Sequence, residues 1–153
     1  MVRAVITKKI EAPARAVWEL VNWKGCAELM PIPGQMEAVT FEGDGVGARR
    51  IFHLDRERLG GGIVVEELTS IDEKRRRYEY ILTDNGPLPW TDYQGTILVT
   101  PCGPNACALK FEALLTPVDV SDEECRHIFI THALMDAARV TEKLCGTGVD
   151  ADA

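Results

Sequence analysis

Four sets of side chains in this chain have the types and spacing for proton chemistry. His132 and Asp136 lie four residues apart in a helical stretch, so the pair can meet or point together at one site. Glu66 follows Ile63, Val64 and Val65, so a carboxylate interrupts an otherwise apolar strand. Burying a carboxylate is costly unless it is paired, and desolvation raises its pKa toward neutrality. A group tuned in this way can remove a proton from carbon beside a carbonyl. Tyr78, Tyr80 and Tyr93 carry hydroxyls that can orient a polar aromatic ligand, and His53 has a titration midpoint suited to acid–base work. Each group also has a plainer reading. The His–Asp pair can be solvated on a packing helix. Glu66 can be an ion-pair partner of Arg49 or an anchor for ligand. The tyrosines can be core, and His53 incidental.

Composition narrows the classes of function. A chain of 153 residues suits one domain with one core. Its 46% hydrophobic content is that of an ordinary globule. The net charge of -7 argues against nucleic acid and anionic membrane surfaces as partners. Residues 1–17 lack a signal-peptide layout, and no apolar run approaches the roughly 18 residues of a spanning helix. No membrane insertion and a cytoplasmic location are therefore expected. Five cysteines form no CxxC pair. Cys102 and Cys107 flank a Gly-Pro-Asn turn, but an odd count in such a chain favours free thiols. No metal cluster, cofactor or internal repeat is expected.

Three motifs invite over-reading. A strand, not a helix, follows Gly43-Asp44-Gly45-Val46-Gly47, so no helix N-terminus waits there for phosphate. Gly60-Gly61-Gly62 has no Lys-Ser/Thr after it and reads as hinge material. Residues 74–77 are a basic run in a solvated hairpin.

The elements that must position the candidate groups follow from periodicity. Residues 121–145 form the clearest helix. Ser121 is its N-cap with Glu124 able to complete a capping box, and Gly146 is its stop. Phe129, Ala133, Ala137, Val140 and Leu144 recur on its apolar face. That face is rich in alanine, which leaves room beneath it for something bulky. A strand is expected at 2–10 and a short helix after Ala12-Pro13, with a second at 25–30; Pro31 and Pro33 break any continuation. Six strands follow, at 36–42, 48–54, 63–71, 76–82, 91–100 and 106–116. Cys107, Leu109, Phe111, Ala113 and Leu115 give the last a wholly apolar face. Short turns make the six an antiparallel meander, and only the long helix can cover its apolar face. A curved sheet around a helix lined by small residues leaves a hollow, the physical route to a ligand cavity.

With those elements in order, the chain resembles the START-like superfamily, also called SRPBCC or helix-grip, in its polyketide cyclase/dehydrase branch. The resemblance is carried by Ile10-Glu11-Ala12-Pro13 with Val17-Trp18, Gly45-Val46-Gly47-Ala48-Arg49, Glu66-Glu67-Leu68 with Ile71-Asp72, Tyr78-Glu79-Tyr80, Tyr93-Gln94-Gly95-Thr96, and Phe111 before Pro117. It spans roughly residues 2–145. The implied fold is α+β: a curved antiparallel sheet of about seven strands around a long C-terminal helix, with two short helices after the first strand. The implied domain is 1–146, followed by a disordered tail at 147–153. The resemblance implies a cavity between sheet and helix. By matching positions, Glu66 points inward, with Arg49, Ile51 and His53 along an inner face beside Val64, Tyr80, Leu82, Tyr93 and Phe111. Residues 55–62 correspond to a gate loop. Aligning from Pro117 turns Ile128, His132 and Asp136 inward, whereas periodicity turns Phe129, Ala133 and Ala137 inward and leaves His132 and Asp136 at the edge.

Two classes of function follow from that resemblance, since one fold hosts many activities. In one, the chain binds an apolar, aromatic or polyketide-like molecule and cyclises or dehydrates it, with Glu66, His132 or Asp136 moving protons. In the other, it is a non-catalytic carrier or sensor of a hydrophobic ligand, as a monomer or homodimer. A protein-interaction module is a third, more distant reading.

Overall fold

The computed structural model describes residues 1–30, 32, 34–57 and 60–146. Its elements run β1 Val2–Ile10, α1 Ala14–Val21, α2 Cys26–Leu29, β2 Met36–Glu42, β3 Arg49–Leu54, β4 Ile63–Asp72, β5 Arg77–Asp84, β6 Trp90–Pro101, β7 Cys107–Pro117 and α3 Asp122–Cys145. The expected tail at 147–153, two residues of the expected gate loop (58 and 59), and Pro31 and Pro33 lie outside the described residues.

The strands make one open antiparallel sheet in the order β1-β7-β6-β5-β4-β3-β2. Strands β2 to β7 are the expected meander. The first strand returns to pair with the last, Val2 opposite Leu115 and Ile10 opposite Cys107. On β7, Cys107, Leu109, Phe111, Ala113 and Leu115 are all buried, while Leu114 between them is exposed. That alternation fixes which face of the sheet is the core.

Helix α3 lies against β1, β7 and α1. The Ser121 hydroxyl accepts from the Glu124 N–H at 3.1 Å, which satisfies one of the free donors of the first turn. Asp122, Glu123 and Glu124 complement the positive end of the dipole, and Lys143 the negative end. Gly146, at φ 73°, ends the helix in the left-handed region. Cys125, Phe129, Ala133, Ala137 and Val140 face the core. Leu144 is 36% exposed, contrary to the periodicity, because the apolar stripe runs out in the last turn. No described helix is long and apolar enough to cross a membrane.

Candidate functional site

Between α3 and the sheet lies a cavity of about 770 Å³, walled by α2, α3, the 85–89 connection and the inner faces of β3 to β7. Residues alternate between the two faces of a strand, so the cavity's chemistry depends on which set of β3, β4 and β5 turns inward.

On β4 the inward set is Val64, Glu66 and Leu68, as expected for Val64 and Glu66. Residues directly opposite in an antiparallel pair share a face. Glu66 lies opposite Arg50, so Arg50 must turn inward with it. The expected inner set Arg49, Ile51 and His53 is therefore corrected by one residue: Arg50, Phe52 and Leu54 line the cavity. Arg49 is exposed and faces Glu67 at 3.5 Å on the outer side. His53 bonds Thr40 at 3.0 Å, also away from the cavity. Ile51, between them in register, shares their outer face and lines no cavity wall. The pairing expected between Glu66 and Arg49 is made by Arg50 instead, Nε to Oε1 at 2.6 Å.

Arg50 is 4% exposed and held on several sides. Its Nη1 donates to the Trp23 carbonyl at 3.2 Å, to the Tyr78 hydroxyl at 3.2 Å and to the Cys26 sulfur at 3.5 Å. Tyr78 in turn donates to the Val21 carbonyl at 2.9 Å. The Trp23 ring lies 4.1 Å from the guanidinium carbon, a cation–π contact. Burial pulls the guanidinium's pKa down, but Glu66 and the neighbouring groups outweigh it and leave it above its usual value. Burial pushes the Glu66 carboxyl up, against the opposite pull of Arg50.

Tyr78, Tyr80 and Leu82 line the cavity from β5, and Tyr93 from β6. The Tyr80 and Tyr93 hydroxyls are hydrogen-bonded at 3.0 Å. Two hydroxyls in one bond use one proton between them, so the other proton remains available to a ligand oxygen. Burial raises both phenols above their usual values. Gly95 lies beneath the Tyr80 ring, where a Cβ would collide with it. Glycine at this one position therefore lets the tyrosine lie flat on the strand.

Helix α3 answers both expected registers. Phe129 and Ala133 line the cavity from the buried column, with Phe111 opposite on β7. Ala137 is 1% exposed and closed within the core, so it forms no part of the cavity wall. His132 and Asp136, from the next column, both line the cavity. They make no hydrogen bond to each other, and Asp136 makes none to any described residue. His132 is exposed where the cavity meets solvent, its ring edge-on to Trp90 at 6.4 Å. Partial burial lowers its pKa, which favours the neutral ring. Asp136 is half-buried, and the part left accessible opens on the cavity. Burial, then repulsion from Glu66, pushes its carboxyl up to about 7, with Arg139 and Arg50 opposing. Arg139 itself donates from Nε to the Leu29 carbonyl at 2.9 Å, tying α3 to α2.

Sequence reasoning missed Arg50, Phe52, Trp90 and the wall made by Cys26 and Leu29 of α2 with Met30 just after it. The Arg50 signal was present: Arg49-Arg50 faces Glu66-Glu67, so an inward Glu66 implies an inward partner. Phe52 and Leu54 share Arg50's period.

A protein-family model described as polyketide cyclase / dehydrase and lipid transport matches residues 1–129. No curated protein sequence matches the chain. Among solved structures, XoxI from Bacillus cereus superposes with a TM-score of 0.77 at 22% identity, covering 95% of this chain and 96% of that one. Norcoclaurine synthase from Thalictrum flavum, solved in complex with dopamine and hydroxybenzaldehyde, superposes with a TM-score of 0.66 at 25% identity, covering 93% and 86%.

Proposed function

This chain belongs to the polyketide cyclase / dehydrase and lipid transport family, and we propose that it binds an apolar, aromatic or polyketide-like molecule in the cavity and cyclises or dehydrates it by acid–base chemistry. The observation that carries the reading is the place of Asp136: a carboxylate on the cavity wall with no hydrogen bond to any described residue, which burial pushes up to about 7. Such a group holds or releases a proton at working pH, which is what a general base requires. Across the cavity, the spare proton of the Tyr80–Tyr93 pair suits a developing enolate oxygen.

In this reading Asp136 takes a proton from carbon between two carbonyls of the ligand. The enolate oxygen is held by the tyrosine pair, and the enolate carbon attacks a second carbonyl to form the ring bond. The new alkoxide takes the proton back. A second removal of a proton from the same carbon, with loss of the new hydroxyl, gives dehydration as water. Norcoclaurine synthase, with its two aromatic ligands, supports an aromatic ligand in a fold of this kind.

The test is turnover of a β-polyketone surrogate, followed as ring formation and loss of water. With Asp136 as base, the rate rises with pH to a plateau above about pH 7, and Asp136→Asn abolishes turnover while affinity changes little. Undiminished turnover in Asp136→Asn removes Asp136 as base and passes the role to Glu66 or His132. The Arg50–Glu66 pair favours a second reading, a carrier, because a carboxylate already bonded at 2.6 Å holds rather than reacts. Tight binding with no turnover in the parent decides for the carrier.

A further inference from the structure

We propose that the Arg50–Glu66 side of the cavity recognises a single neutral hydroxyl, a phenol or enol O–H that accepts from Arg50 and donates to Glu66, and that it discriminates against carboxylates. This inference rests on the reading that the cavity holds a small molecule and specifies the chemistry of that molecule's head.

The argument is an account of hydrogen-bonding capacity. A guanidinium has five N–H donors. Those on Arg50 Nε and Nη1 are directed to Glu66, Trp23, Cys26 and Tyr78, and Nη2 has no hydrogen-bond partner among the described residues. The described side-chain atoms that are both unpartnered and sealed from any solvent-sized space are Trp23 Nε1, Asn85 Oδ1 and Trp90 Nε1. Nη2 is not among them, so on a side chain 5% exposed it opens on the cavity that Arg50 lines. The same account applied to Glu66 leaves Oε2 unpartnered, on a side chain 12% exposed that also lines the cavity. One unfilled charged donor and one unfilled charged acceptor are thus offered by two groups locked together at 2.6 Å. Tyr78 has no proton to give the ligand here, since its hydroxyl donates to the Val21 carbonyl while accepting from Arg50.

The oxygen that satisfies both at once is a hydroxyl. A ketone fills only Nη2, and a hydrocarbon fills neither. A carboxylate meets an unfavourable balance of charge: Arg50 is already neutralised by Glu66, and Asp136 adds a further negative charge as it ionises. Tyr80, at 5.2 Å from the guanidinium carbon, leads from this end toward Tyr93 and Trp90, so a planar ring extending from the hydroxyl has aromatic faces beside it.

The experiment titrates the full chain with naphthalene, 2-naphthol and 2-naphthoate near neutral pH, using calorimetry. The expected result is that 2-naphthol binds about tenfold or more tighter than naphthalene, with 2-naphthoate no tighter than naphthalene. In Glu66→Gln the Arg50 charge is no longer neutralised, and 2-naphthoate should gain about tenfold or more over its parent affinity while naphthalene is unchanged. Equal binding of 2-naphthol and naphthalene in the parent overturns the inference and leaves the ligand cavity intact. So does tightest binding of 2-naphthoate in the parent, or no gain for it in Glu66→Gln. If neither naphthalene nor 2-naphthol binds, the cavity reading fails and the inference with it. Arg50→Met paired with Glu66→Met removes both charges and should erase the preference for 2-naphthol; a preference that persists there assigns it elsewhere.

Discussion

Trp90 and Tyr93 stand three residues apart on one strand, and both face the cavity, with ring centroids 5.9 Å apart and planes at 29°. In an unbroken strand an odd separation puts two side chains on opposite faces. The register between β6 and β7 shifts between Thr91 and Gln94, where one extra residue on β6 cancels the alternation. Asp92 absorbs it with φ at 52°, in the left-handed region.

Deleting Asp92 should therefore turn Trp90 out of the cavity, whereas Asp92→Gly should keep both rings in place. The measurement is the emission of Trp90, taken as the difference from a Trp90→Phe counterpart in each background. A red-shifted contribution after deletion, with none in Asp92→Gly, is expected. An unshifted contribution in the deletion variant means that the bulge does not aim the ring.

Asp136 links stability to pH with a definite sign. Its folded pKa, about 7, stands above the ordinary carboxylate value, so the folded state holds the proton more tightly. The resulting stabilisation is complete below about pH 4 and is lost as pH rises through about 7. Asp136→Asn should raise Tm at pH 8 by at least about 2–4 °C, the shift that ~1 kcal/mol gives in a domain of this size, and bring no gain at pH 4. Melting curves across that range check it. An equal effect at both ends would mean that Asp136 is not held above its usual value.

The legibility of the chain divides along physical lines. β7 and α3 were readable because one alternates without a break and the other carries a cap, a dipole pattern and a stop in adjacent residues. The sequence alone leaves β3 one residue out of phase. Ile51 and His53 are as plausible inside as Phe52 and Leu54 until the pairing of Arg50 with Glu66 is known, and a slip of one exchanges the faces. Trp90 was invisible for a related reason, since a bulge is a property of two strands and the signal lies in their register. His132 and Asp136 were legible as a pair. Their separate roles, one at the exposed mouth and one on the wall, depend on how α3 sits over the sheet.

The buried ion pair makes an asymmetric stability prediction. Arg50→Met leaves Glu66 charged and unpaired, with the Tyr78 hydroxyl and Trp23 carbonyl short of a donor. Loss of about 3–5 kcal/mol is expected. Adding Glu66→Met should recover most of it, because two apolar side chains of similar volume replace the pair. Chemical denaturation of the single and double variants measures both. A double variant less stable than Arg50→Met alone would contradict the account.

Of the two buried alanines of α3, Ala137 packs in the core and Ala133, 4% exposed, faces open cavity. In a filled core, Ala133→Phe would cost roughly 1–3 kcal/mol through overpacking. Into a cavity of about 770 Å³ the ring should enter with little loss of stability. The measurement is calorimetric titration of naphthalene into parent and variant, each with its melting temperature. Saturable binding to the parent, at least tenfold weaker binding to Ala133→Phe, and melting temperatures within a few degrees of each other are expected. No binding to the parent, together with severe destabilisation of the variant, would contradict it.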